Sequence, residues 1–210
     1  MKNNYQLKNK TRFSTHSIFS KLIGKKNKIL DIGCNDGYLK DISDKSNNFY
    51  GIDYSLESLE IAKNKYKSVI QKNLNNLDDL TLPWENSFDV IIFGDILEHL
   101  LYPEKILNFY INNYLKKDGI VIISLPNVAN FMIRINLLFG KFKYTDSGIL
   151  DRTHLHLYTF KSALELIKKN TNLEVEEVYG GSTYLGFLIY LFPFLKGLFA
   201  TNIIYVCRKK

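Results

Sequence analysis

Residues 28–37 read Lys-Ile-Leu-Asp-Ile-Gly-Cys-Asn-Asp-Gly, a short apolar strand that runs directly into a glycine turn. Of all the features in the chain, this one restricts the fold most. Gly33 and Gly37 let the backbone turn sharply and approach a ligand with no side chain in the way. A second apolar stretch, Phe49-Tyr50-Gly51-Ile52, follows and ends on Asp53, twenty residues after Gly33. An acid at that place can accept hydrogen bonds from both hydroxyls of a ribose. A glycine turn alone says little. The turn together with the acid at the next strand end points to a nucleoside-binding α/β sheet.

The rest of the chain continues the alternation. Val69-Ile70, Phe88–Phe93, Ile120–Ile123, Leu173–Tyr179 and Asn202–Arg208 read as further strands. Between them the 3.6-residue spacing predicts helices. The first is short and ends near Gly24. The next is capped by Ser55 and runs to about Tyr66. Another opens at Pro103 and stops at Lys117-Asp118-Gly119, and two more cover Ala129–Leu138 and Phe160–Lys169. Strands alternating with helices imply a sheet covered on both faces. Ligands in such sheets bind beyond the carboxyl ends of the strands, here just after Ile32, Ile52, Phe93 and Ser124. At 210 residues the expectation is one domain over 1–210. Within it lie a loose, partly helical segment at 1–24, an insertion at 127–157, and an apolar segment at 182–201 between the last two strands.

The charge invites a different partner. Lys plus Arg is 28 against 21 acids, a net +7. That balance attracts nucleic acid or an anionic membrane surface. Only Arg12, Arg134, Arg152 and Arg208 are arginines, however. Arg is the residue that reads phosphates and base edges as a fork, so no nucleic-acid partner is expected. Cys34 and Cys207 have neither disulfide nor metal spacing, which fits a reducing, cytoplasmic setting. The polar start of the chain has no signal-peptide pattern. The longest apolar run, Tyr184 to Leu195, falls short of the roughly 20 residues that span a bilayer. It reads as a cover for the sheet or, with Lys196 and the basic end of the chain, as a peripheral membrane patch.

Local charge selects the ligand. A dinucleotide site wants G-x-G-x-x-G, so that pyrophosphate rests on a helix N-terminus. This turn reads G-x-x-x-G and carries Asp31 and Asp36, which repel pyrophosphate. They suit a cationic ligand, and S-adenosylmethionine carries a sulfonium and an ammonium.

These motifs carry a family resemblance. Ile29 to Gly37 resembles the first motif of class I S-adenosylmethionine-dependent methyltransferases, with Asn35 where the family has glycine. Phe88-Asp89-Val90-Ile91 through Asp95-Ile96-Leu97-Glu98-His99-Leu100 resembles the family's fourth-strand motif. Leu115-Lys116-Lys117-Asp118-Gly119 resembles its turn before strand five. The resemblance covers about residues 25–180. It implies a Rossmann-like, seven-stranded, mostly parallel sheet with an antiparallel last strand. It also implies that Asp31, Gly33, Cys34 and Gly37 border the methionine part of the cofactor and that Asp53 holds the ribose. Tyr54 would pack on adenine, Asn73-Leu74 would read its amino group, and Asp95 would lie near the sulfonium.

Methyl transfer is a displacement at the sulfonium carbon, so the acceptor must be held in line. A hydroxyl acceptor also gains from a base. His99 and His154 are the candidates, with Arg152 as a binder of anionic acceptors. The run Gly148 to His154, with Leu125 to Asn130 before it, resembles small methyltransferases of the ubiquinone-biosynthesis and sugar-modifying kind. The expected reaction is therefore O-methylation of a sugar, a polysaccharide precursor or another small-molecule hydroxyl. The alternatives are N-methylation of an amino sugar or amine, RNA modification, and a non-catalytic cofactor-binding module. His154 and His156 alternate as on a strand, but no third ligand of suitable spacing follows them, so no metal is expected.

Overall fold

The computed structural model describes residues 12–85, 88–182 and 186–209. Five strands run parallel: β1 (Lys28–Ile32), β2 (Asn48–Asp53), β3 (Ser68–Gln71), β4 (Phe88–Gly94) and β5 (Leu115–Pro126). The last strand, β7 (Asn202–Lys209), slots between β5 and β6 (Leu173–Gly181), antiparallel to both. The sheet order is β3-β2-β1-β4-β5-β7-β6. This is the Rossmann-like sheet that the sequence implies, including the antiparallel last strand. The chain leaves β1 toward β2 on one side, and β4 lies on the other. The crevice at that switch point is where an open α/β sheet takes a ligand.

The helices are α1 (Thr15–Leu22), α2 (Tyr38–Ile42), α3 (Leu56–Ala62), α4 (Pro103–Tyr114), α5 (Phe131–Leu138), α6 (Phe160–Asn170), α7 (Gly186–Leu191) and α8 (Lys196–Phe199). The two-residue period of the strands sorts their side chains to two faces. Leu30, Ile32, Ile91 and Phe93 pack with Ile106 and Tyr110 of α4 and Ala163 and Ile167 of α6. Ile29, Val90 and Ile92 pack with Phe19 of α1, Leu39 of α2 and Leu59 of α3. Both faces being covered explains why β4 reads as an unbroken apolar run.

Two helix ends differ from the sequence expectation. The helix capped by Ser55 stops at Ala62 rather than Tyr66. The chain tightens there, with Asn64 N–H donating to Ile61 and Lys65 N–H to Ala62, and this swings Tyr66 toward the sheet. The helix opened by Pro103 stops at Tyr114, and Leu115 is already extended. Gly119 is therefore inside β5 and not a helix stop. A Cβ there would come within 2.6 Å of the Leu115 side chain, so the glycine serves a close approach. The short helix α2 was not expected at all. Asp36 starts it by accepting the Tyr38 N–H at 3.1 Å.

Candidate active site

The glycine turn has the backbone that its composition requires. Gly33, Asn35 and Gly37 have φ of +80°, +47° and +74°. Asn tolerates the left-handed region better than most residues, which lets it stand between two glycines. Gly33 N–H and Cys34 N–H both donate to the Ile52 carbonyl, at 2.8 and 3.0 Å. The turn is thereby stitched to the end of β2. Asp53 completes the stitch: its Oδ2 accepts the Asn35 N–H at 2.8 Å and its Oδ1 the Ser55 N–H at 2.9 Å. A Cβ on Gly33 would come within 3.0 Å of Ile96, so the cradle leaves no room for a side chain. Cys34 is buried beneath the turn, and burial pushes its thiol far up.

Asp31 sits below the turn, 5 % exposed. Its Oδ2 accepts the Tyr66 hydroxyl at 2.6 Å, the contact for which the α3 end tightens. Burial pushes its pKa up to about 7, against the lowering effect of Tyr66 and with a further push from Asp53. Tyr54 follows Asp53 and is 70 % exposed, its ring facing solvent. Asn73 forms a turn in which its Oδ1 accepts the Asn75 N–H at 3.0 Å, and Leu74 packs into the core.

Asp95 caps β4 with φ of +50°. Its Oδ1 accepts the Ser124 hydroxyl at 2.7 Å and the Asn202 amide at 2.9 Å. These partners come from β5 and β7. His16 approaches from the first turn of α1, edge-on to Tyr38 with ring centres 5.5 Å apart. Its Nδ1 is buried with no hydrogen-bond partner. Burial lowers its pKa, while the nearby carboxylates of Asp95 and Asp36 oppose that shift. His16, Ser124 and Asn202 escaped the sequence reading. Only a polar residue amid the apolar spacing of α1 hints at the first of them.

Beyond Asp95 the chain makes one 3₁₀ turn, Leu97–His99, and meets the loop at 151–157. Leu155 N–H and His156 N–H both donate to the Glu98 carbonyl, at 2.8 and 3.1 Å. His156 Nε2 lies 3.0 Å from the Leu100 carbonyl. These bonds bring His99 and His154 face to edge, with ring centres 4.8 Å apart. His154 Nδ1 lies 3.1 Å from the Ile149 carbonyl and His99 Nδ1 lies 3.2 Å from the Thr153 carbonyl. Both rings therefore donate from Nδ1 and keep a lone pair on Nε2. Burial lowers the His154 pKa. Thr153 gives its hydroxyl proton to Asp151 at 2.6 Å. Partial burial would raise the Asp151 pKa, but the two Thr153 bonds outweigh it and hold the carboxyl below its usual range. Arg152 stands apart, exposed and paired with Asp146 at 2.8 Å. The structure thus brings together Asp31, the turn, Asp53, Asp95, His99 and His154, and leaves Arg152 on the insertion's surface.

Residues 5–178 match the family described as a methyltransferase domain. The chain is 33% identical over 202 residues to an uncharacterized protein of Methanocaldococcus jannaschii, covering 86% of this chain and 75% of that one. An 88-residue stretch is 33% identical to the mitochondrial ubiquinone biosynthesis O-methyltransferase of Candida albicans, spanning 38% of this chain and 26% of that protein. Among solved structures, a SAM-dependent methyltransferase from Aquifex aeolicus superposes with a TM-score of 0.63 at 16% identity, covering 98% of this chain and 96% of that one. A possible histamine N-methyltransferase from Thermotoga maritima gives 0.66 at 15% identity, covering 98% and 93%. At these identities the structural likeness speaks to the fold.

Proposed function

The chain belongs to the methyltransferase-domain family, and from that membership we propose that it methylates a hydroxyl oxygen of a small acceptor, such as a sugar, a polysaccharide precursor or a quinone-like phenol. S-adenosylmethionine is the methyl donor. The residues present fit it. The carboxylates of Asp31 and Asp95 suit its cationic groups, and Asp53 ends the strand where ribose hydroxyls are read. A Cβ on Gly33 or Gly37 would run into the side chain of Ile96 or Tyr66, so both positions keep the turn tight beneath a ligand. Tyr54 offers an exposed ring to adenine, and the buried His16 Nδ1, which has no hydrogen-bond partner, is open to a polar group of the ligand. When bound, this cofactor supplies an electrophilic methyl carbon on a sulfonium.

The observation that carries the reading is the His99–His154 pair on the segments next to Asp95. Both rings keep an Nε2 lone pair, so they can hold an acceptor hydroxyl, either by accepting its hydrogen bond or through a cation bound to that lone pair. The ion pairs of Arg152 with Asp146 and of Arg208 with Glu176 occupy two of the four arginines, which supports a small acceptor over nucleic acid. Among the described residues no helix is long and apolar enough to cross a membrane. Phe187, Tyr190, Phe192 and Phe194 are exposed on the segment before β7, which supports a peripheral membrane contact and an acceptor carried there. Tyr184 and Leu185 of the same apolar run lie outside the described residues.

Transfer of a labelled methyl group to a panel of hydroxyl and amine acceptors tests the reading. His154→Ala is expected to lower turnover about 100-fold or more, while the calorimetric affinity for the cofactor stays within about twofold. Full turnover in that variant would remove His154 from the acceptor site.

A further inference from the structure

Glu98 is the outlier among the described acids. It is wholly buried, and neither carboxylate oxygen has a hydrogen-bond partner. A buried carboxylate without partners costs several kcal/mol unless it is neutralised or meets a cation. Its nearest neighbour of opposite potential is His154, whose Nε2 is 4.0 Å from Oε1, too far for a hydrogen bond.

The hydrogen bonds around the histidines explain why neither ring supplies a proton to that gap. His154 spends its Nδ1 proton on the Ile149 carbonyl. His99 spends its own on the Thr153 carbonyl, since the nearby Thr153 hydroxyl has already given its proton to Asp151. The Nε2 atoms are therefore lone-pair donors. One nitrogen from each histidine and one Glu98 oxygen lie within 4.8 Å of one another. An ionised Glu98 and the His154 lone pair beside it repel unless a proton or a cation stands between them.

We propose that Glu98, His99 and His154 bind a divalent cation of the zinc or cobalt type, and that this cation recruits acceptors with two adjacent oxygens, such as a catechol or a vicinal diol. Two imidazoles and one carboxylate are a borderline donor set that favours such metals over calcium or magnesium. Bonds of about 2.0–2.2 Å would draw the three ligand atoms closer than they now lie. Both histidines already carry the support that metal-binding imidazoles have: Nδ1–H is anchored on a backbone carbonyl. Three protein ligands leave positions open for an acceptor. Asp95 is near enough that its charge bears on Glu98 and His154, and on His16 too, so the cation would border the methyl donor's site.

The substrate part rests on the methyltransferase reading. A hydroxyl bound to the cation loses its proton to solvent more readily. Its oxygen then bonds to the methyl carbon, the carbon–sulfur bond breaks, and the sulfonium leaves as a neutral thioether.

Cobalt(II) added to chelator-treated protein tests the site, read by its visible absorption. The wild type is expected to bind one equivalent, displaceable by zinc. Glu98→Gln keeps the size of the side chain and removes the buried ionisable group, so it should fold. It and His154→Ala are expected to weaken binding at least about 100-fold. Catechol should shift the cobalt bands and phenol should not. No binding by the wild type, or equal binding by Glu98→Gln and His154→Ala, overturns the site. Equal response to catechol and phenol overturns the chelating acceptor. Cofactor titration of the metal-free protein separates the two ideas: retained cofactor binding without a cobalt spectrum sinks the metal and leaves the methyltransferase reading standing.

Discussion

The two halves of the site are built on opposite terms. Around the cofactor half the carboxylates are committed: Asp53 binds two backbone N–H groups, Asp31 binds Tyr66, and Asp95 binds Ser124 and Asn202. In the acceptor half the Glu98 carboxylate has no hydrogen-bond partner and the two histidines keep open lone pairs. A committed network holds one ligand in one pose. An open cluster waits for the ligand that completes it, here an acceptor held through a cation. The contrast extends outward, since the cofactor turn is stitched to β2 while much of the insertion lies exposed.

The largest test of this contrast is Asp53→Ala. It removes both the ribose acceptor and the clamp on Asn35. Charge-assisted hydrogen bonds are worth about 1.5–3 kcal/mol each, so cofactor affinity should fall about 100-fold or more by calorimetry. Unchanged affinity would break the cofactor half as described.

Next is the pH response of Asp31. Burial raises its pKa to about 7 in the cofactor-free protein. A carboxyl that must ionise to face an ammonium gives up its proton first. Affinity should therefore climb by up to tenfold per unit below about pH 7 and level off above it. The stability of the cofactor-free fold runs the other way. Its folded value lies above the unfolded one, so stability present below about pH 4 is lost as pH rises through about 7. Asp31→Asn should flatten both slopes, and slopes that survive in that variant would assign them elsewhere.

The smallest effect concerns the apolar rim. Phe192 and Phe194 are 44% and 80% exposed, so replacing both with Ser should change stability by no more than about 0.5 kcal/mol and leave turnover on a dissolved acceptor intact. Flotation with anionic vesicles should be lost. A wild type that does not float would end the membrane contact.

The same contrast governs what was legible in the sequence. The cofactor half is local in the chain: Asp31, Gly33, Gly37 and Asp53 fall within 23 residues, and the strands that aim them are plain apolar runs. The helix ends were less legible because tertiary contacts decide them. Tyr66 leaves its helix to reach Asp31, and Gly119 answers to Leu115 rather than to a helix stop. The clamps on Asp95 come from strands 29 and 107 residues away. Glu98 and His99 stood in a recognised motif, but their meeting with His154 depends on a loop more than fifty residues later. Spacing along the chain carries no trace of it.

Carbon-13 in the donor's methyl group tests the central claim most directly, with the product read by NMR. The account predicts a methoxy signal on an acceptor with adjacent oxygens, formed by the wild type and reduced about 100-fold or more in rate in His154→Ala although that variant still binds the cofactor. An N-methyl signal, or a methoxy signal undiminished in His154→Ala, would contradict it.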